Sequence, residues 1–287
     1  MNSIYARACL RVSLASLLVL SSHSGLAAQK STQSGDDEAL EGGYVKLGLG
    51  YRASTPNRAR DHQGSGASAF INARYQLANG LFAELTNYRM LNDGTRVGYN
   101  FYNPDRWNFD VITLKAHQSL DFPGWQNNKP TVHYRKSTQM LGVRATGSFN
   151  KTTVQFSWAP YSFNREYDDG MFASLWVDQS FQYKNWQMYA NTGLVYRSEE
   201  IINYYFGVPE EIASYMFPAY STSSGTEVSA EIGALYPISQ HWMFETYFKY
   251  SHMPRSINNS PWVAMFNKVE NRDGHVSELG ILVSFVF

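Results

Sequence analysis

The residues with chemical potential are few. His252 is followed by Met253, Pro254, Arg255 and Ser256. A His-x-Ser-Asn order near a strand end would let an imidazole act as general base for a hydroxyl nucleophile. Pro254 stands where that hydroxyl is needed, and Ile257 separates Ser256 from Asn258. The spacing fails, so no catalytic residue is expected. There is no Gly-rich phosphate loop, no His-Glu-x-x-His and no Gly-x-Ser-x-Gly. The seven His are scattered singly with no pair at ligand spacing, so no metal site and no cofactor are expected.

What remains is charge on alternating positions. Lys46, Arg52, Arg74, Glu84, Arg144, Asp178, Glu231 and Glu278 each occupy the polar register of an apolar/polar alternation, as do Glu227, Glu245 and Lys249. In a β-strand the two registers lie on opposite faces. If the apolar face meets lipid, these charges line a lumen. They would then either select solutes in an open pore or fill a narrow interior by pairing with each other.

The elements that carry them read as strands throughout. The closing stretch Val276–Phe287 has Leu279, Ile281, Val283, Phe285 and Phe287 in one register, with Glu278, Gly280 and Ser284 in the other. Val45, Leu47, Leu49 and Tyr51 alternate in the same way with Lys46, Gly48, Gly50 and Arg52. Tight turns at Asn79-Gly80, Asn150-Lys151 and Lys184-Asn185 alternate with long connections at Thr55–Gly66, Gln118–Lys136, Arg197–Gly225 and Ser251–His275. Short turns on one side and long loops on the other are the habit of an all-β, transmembrane, antiparallel up-and-down barrel. About twelve strands are expected, or ten if the uncertain hairpin at Leu91–Arg106 is skipped. Trp107–His117 has apolar residues in both registers, so its inward face is unassigned. Mean hydropathy is −0.37 with aromatics at 15%. That suits strands that show lipid only every second residue.

The first 27 residues read as a cleaved export signal: Arg7 and Arg11, an apolar run from Val12 to Leu20, then small residues to Ala27. Residues 28–42 form a polar lead-in, and residues 43–287 the barrel. Cys9 is the sole cysteine and falls in the signal, so no disulfide or thiol chemistry is expected. The formal charge is 0, and loss of the two signal arginines leaves 22 − 24 = −2. No basic excess points to nucleic acid. The expected location is the outer membrane of a Gram-negative envelope, reached through the barrel assembly machinery. Phe285 and the terminal Phe287 resemble the closure signal of that class.

Two stretches carry a family resemblance. Asn203-Tyr204-Tyr205-Phe206-Gly207-Val208-Pro209-Glu210-Glu211-Ile212-Ala213, then Pro218-Ala219-Tyr220, is the first. Asn259-Ser260-Pro261-Trp262-Val263 is the second. Together they are similar to the MipA/OmpV family of MltA-interacting proteins, most clearly over residues 185–287. The resemblance implies a non-enzymatic scaffold or envelope-maintenance barrel in contact with a lytic transglycosylase and a peptidoglycan synthase. A small passive porin-like channel is the alternative. Tyr204, Tyr205, Phe206, Gly207, Val208, Pro209 and Tyr220 belong to a loop too apolar to be left in water, so it is expected over or into the barrel mouth, or in the outer-leaflet belt. Pro209-Glu210-Glu211 reads as a helix start.

Overall fold

A computed structural model of the chain describes residues 41–55, 65–90, 94–126, 129–137, 139–167, 169–269 and 274–287. The expected signal, and the lead-in up to residue 40, lie outside the described residues.

The chain runs β1 (Gly42–Ser54), β2 (Gly66–Gln76), β3 (Leu81–Thr86), β4 (Gly94–Tyr102), β5 (Trp107–Lys115), β6 (Leu120–Gln126), β7 (Lys129–Arg135), β8 (Gln139–Phe149), β9 (Thr152–Ser162), β10 (Phe172–Tyr183) and β11 (Trp186–Arg197). It continues through helix α1 (Glu199–Phe206), β12 (Gly225–Pro237), β13 (Trp242–His252), α2 (Arg255–Asn258), α3 (Pro261–Val269) and β14 (His275–Val286). Twelve strands close an antiparallel barrel in the order β1-β14-β13-β12-β11-β10-β9-β8-β5-β4-β3-β2, and β6 and β7 pair only with each other.

Alternation sets the two faces. Leu47, Leu49, Tyr51, Ile232, Leu279 and Ile281 are exposed on the outside, while Gly48, Arg52, Glu231 and Leu282 are buried inside. A continuous apolar exterior of this kind is stable against lipid and not against water. At the seam Leu47 stands opposite Phe285 and Ser54 opposite Glu278. The amide of Phe287 donates to the Val45 carbonyl at 3.0 Å, so the last residue completes the ladder. The tight turns need left-handed backbone, supplied by Asn150 at φ 56° and, less commonly for its residue type, by Lys184 at φ 52°.

Two open readings resolve and two expectations change. The doubtful hairpin forms as β4 and β5 joined at residues 103–106, which fixes the count at twelve. The stretch Gln118–Lys136 is a hairpin and not an irregular loop. In β5, Asp110, Ile112 and Leu114 point inward and are buried, while Val111 is exposed outside. Both registers are apolar because loops cover the inner one as lipid covers the outer. The helix in Arg197–Gly225 lies upstream of Pro209. It starts after Ser198, with Glu199 and Glu200 in the first turn, where the helix dipole favours them. Residues Glu210–Ile212 make only one 3-10 turn.

Candidate functional site

Charged side chains pair across the interior of the barrel. Near the turn-side end, Arg144 on β8 reaches past β5 and β4 to β3. Its Nε donates to Asp110 Oδ2 at 2.8 Å, and its Nη1 and Nη2 donate to Glu84 at 2.9 and 3.0 Å. Arg74 pairs with the same Glu84, and Asn100 donates to Asp110 at 2.9 Å. Lys46 Nζ meets Glu245 Oε1 at 2.6 Å past β14, whose Ser284 also donates to that carboxylate. Toward the loop side, Glu278 accepts from Tyr247 at 2.7 Å and lies 3.3 Å from Lys249 and 3.5 Å from Arg52. Removing such charges from water costs several kcal/mol each, so they persist only when paired and hydrogen-bonded. Asp178 is the exception: it is buried opposite Asn191, with no cation at ion-pair distance among the described residues.

Aromatic rings fill the space above inward glycines. Tyr189 lies over Gly233 and Tyr247 over Gly280; a Cβ at either glycine would come within 2.4 or 2.3 Å of the ring. Each pair is directly opposite across two strands. Glycine on one strand thus makes room for a tyrosine that holds a lumen carboxylate, because Tyr189 donates to Glu231 at 2.6 Å.

A segment not anticipated from the alternation crosses this interior. β3 has only six residues, where about 9–11 span a membrane as a tilted strand. After it, Asn87 uses its side chain as a ladder rung. Its Oδ1 accepts from Ile71 N at 2.8 Å and its Nδ2 donates to Ala69 O at 3.1 Å. The chain then turns inward. Tyr88 packs edge-on to Phe70 at 5.5 Å and beside Tyr247 at 5.8 Å. The Arg89 guanidinium lies 3.8 Å above the Tyr189 ring. The Met90 amide donates to Glu231 Oε2 at 2.8 Å. Glu231 is on β12, separated from β3 by four strands (β2, β1, β14 and β13) one way round the wall and by six the other way. Residues 88–90 are therefore a bar across the lumen. The shortness of β3 was the available signal.

The mouth is closed by a second layer. Ile201, Ile202, Tyr205 and Phe206 of α1, Val208, Phe217, Ile257, Trp262 and Val263 join one buried cluster with Leu120 and Phe122 of β6 and Ile112, Leu114 and Met140 of the wall. Val208 and Tyr220 exchange backbone hydrogen bonds at 2.9 Å both ways, and the Tyr220 hydroxyl donates to Ser256 O at 3.0 Å. Tyr204 Oη accepts from the Lys136 amide at 3.0 Å, and Tyr205 Oη donates to the Lys136 carbonyl at 3.1 Å. Pro209 and Gly207 follow α1 and end it. Ser260 Oγ donates to the Phe206 carbonyl at 2.7 Å. The second resembling stretch thus bonds the C-terminal end of the helix in the first.

Ser256 is buried in α2, while His252 lies on the outer register of β13 beside His275. The two side chains thus lie in different environments. Tyr44 points inward and donates to Asn72 at 2.9 Å.

A closed twelve-stranded antiparallel barrel with an apolar outside and a charged, packed inside is an outer-membrane β-barrel. Residues 45–287 match MltA-interacting protein MipA, and the chain belongs to that family. Outer membrane protein Omp26La of Vibrio anguillarum is 26% identical over 248 residues, covering 85% of this chain and 89% of that protein. Among solved structures, OmpT of Vibrio cholerae is 8% identical, with 86% of this chain and 97% of that chain covered at a TM-score of 0.41. The KdgM porin is 10% identical, with 84% and 99% covered at 0.40.

Proposed function

We propose that this outer-membrane barrel is closed and non-enzymatic, and that it serves as a scaffold or envelope-maintenance protein rather than as a solute path. The observation that carries this reading is the Met90–Glu231 hydrogen bond, which ties a loop across the full lumen beneath an apolar lid. A conducting pore needs a continuous aqueous route, and paired charges with stacked rings leave little room for one. The family's name implies a lytic transglycosylase as partner, and a peptidoglycan synthase goes with it in the scaffold reading. Phe285 and Phe287, at the seam, are proposed as the feature read by the barrel assembly machinery.

The test is affinity capture of the tagged mature chain from a detergent-solubilised envelope. Recovery of a lytic transglycosylase or a peptidoglycan synthase supports the scaffold. Recovery of neither, beside efficient recovery of the barrel itself, counts against it.

A further inference from the structure

We propose that Tyr250, His252 and His275 form a binding site for one borderline divalent transition cation, such as Cu²⁺ or Zn²⁺, on the outer rim of the barrel. His252 ends β13 and His275 begins β14, and they stand directly opposite each other in the ladder. Their Nδ1 atoms are 3.1 Å apart, and Tyr250 Oη is 2.7 Å from His275 Nδ1. Three donor atoms of three residues thus converge, on the outer register, where a solvated cation can reach them.

The distances suit a chelate. Two metal–nitrogen bonds of about 2.0–2.1 Å across a 3.1 Å gap subtend roughly 100°, between the tetrahedral and square-planar angles. The cation would take the place of the hydrogen-bond contacts that now join these donor atoms, after a small rotation of each ring. Two nitrogens and a phenol oxygen suit copper and zinc. Calcium and magnesium prefer sets of carboxylate and carbonyl oxygens. The two histidines are 23 positions apart, so no local motif announces them; antiparallel register alone brings them together.

The position has a consequence. His252 and His275 flank the connection that carries α2, α3 and Trp262. A cation held by both would clip the base of the lid loop and restrict the chain between them.

The experiment uses the full mature chain without a histidine tag, folded in detergent micelles. Cu²⁺ is titrated and followed by electron paramagnetic resonance, and Zn²⁺ by competition with a chromophoric chelator. One equivalent of Cu²⁺ with a two-nitrogen signature is expected. His252→Ala or His275→Ala should weaken binding on the order of a hundredfold, because each removes the chelate partner. Tyr250→Phe should keep the two-nitrogen signature with lower affinity. Excess Ca²⁺ or Mg²⁺ should not compete. A second readout guards against a misfolded variant: Zn²⁺ should raise the thermal midpoint of the wild type and not that of His275→Gln. Unchanged Cu²⁺ affinity and signature in His252→Ala/His275→Ala, or no binding by the wild type, would overturn the proposal.

Discussion

Trp262 of α3 lies flat on Phe122 of β6, with ring centroids 4.4 Å apart and planes within 6°. The two residues come from loops on different sides of the barrel mouth, and Phe206 of α1 packs against Phe122 at 6.3 Å. Three long connections therefore share one aromatic centre. Such stacking adds about 0.5–1.5 kcal/mol beyond area burial.

Trp262→Ala should loosen the lid without opening the wall. Truncating a buried Trp costs about 3–5 kcal/mol, here spent on the lid's own packing. Limited proteolysis should cut the 199–220 and 255–269 segments faster, while heat-modifiable gel mobility of the barrel stays as in the wild type. Equal proteolysis rates would show that the stack does not hold the lid.

Glu231→Ala should release the bar across the lumen. It leaves the Met90 amide and the Tyr189 hydroxyl unpaired in a buried place, at about 1–3 kcal/mol each. Hydrogen exchange at residues 88–90 should rise at least tenfold, with β12 and β13 still protected. Unchanged exchange at Met90 would contradict the bridge.

Arg144→Met should be among the most destabilising lumen changes. It strands Asp110 and one side of Glu84, and breaking a buried pair by removing one partner costs about 3–5 kcal/mol. Arg74 still holds Glu84, so Arg144→Met/Asp110→Asn should recover part of the loss. The thermal midpoint of the folded gel band reads both. A double variant no better than the single would place the strain elsewhere.

The lid should also weaken in acid. His133 of β7 has its Nε2 buried with no hydrogen-bond partner among the described residues, and its ring lies 6.1 Å from the Trp262 ring. Burial pushes its imidazole below the usual value, and Arg135 adds to the shift. The docked hairpin thus binds fewer protons than the undocked one. Docking is complete above the ordinary His value of about 6.5 and weakens as pH falls below it. Proteolysis of β6–β7 should be faster at pH 5 than at pH 7.5 in the wild type, and independent of pH in His133→Phe. A pH effect that survives in His133→Phe would contradict this.

The wall was legible in the sequence, because period-2 alternation and the long–short rhythm of connections are local signals. Val45, Leu47, Leu49 and Tyr51, and Leu279, Ile281, Val283 and Phe287, face outward as their spacing demands. The inward charges were legible as a face but not as pairs: Arg144 finds Glu84 past two intervening strands, and Lys46 finds Glu245 past one. Such partners depend on barrel closure, which no local pattern encodes. The 88–90 crossing was hidden because Tyr-Arg-Met has no turn or strand signature of its own. The apolar character of Tyr204–Tyr220 pointed toward cover. What covers it, the β6–β7 hairpin and α3, comes from stretches that read as irregular loops.

The central claim is that this barrel is closed. Single-channel recording of the folded wild-type chain in a planar bilayer tests it most directly. The account predicts a silent baseline for the wild type, with conductance appearing only when both barriers are breached, as in Trp262→Ala/Glu231→Ala. A steady open conductance from the wild type, scaling with salt, would contradict it and favour the porin-like reading.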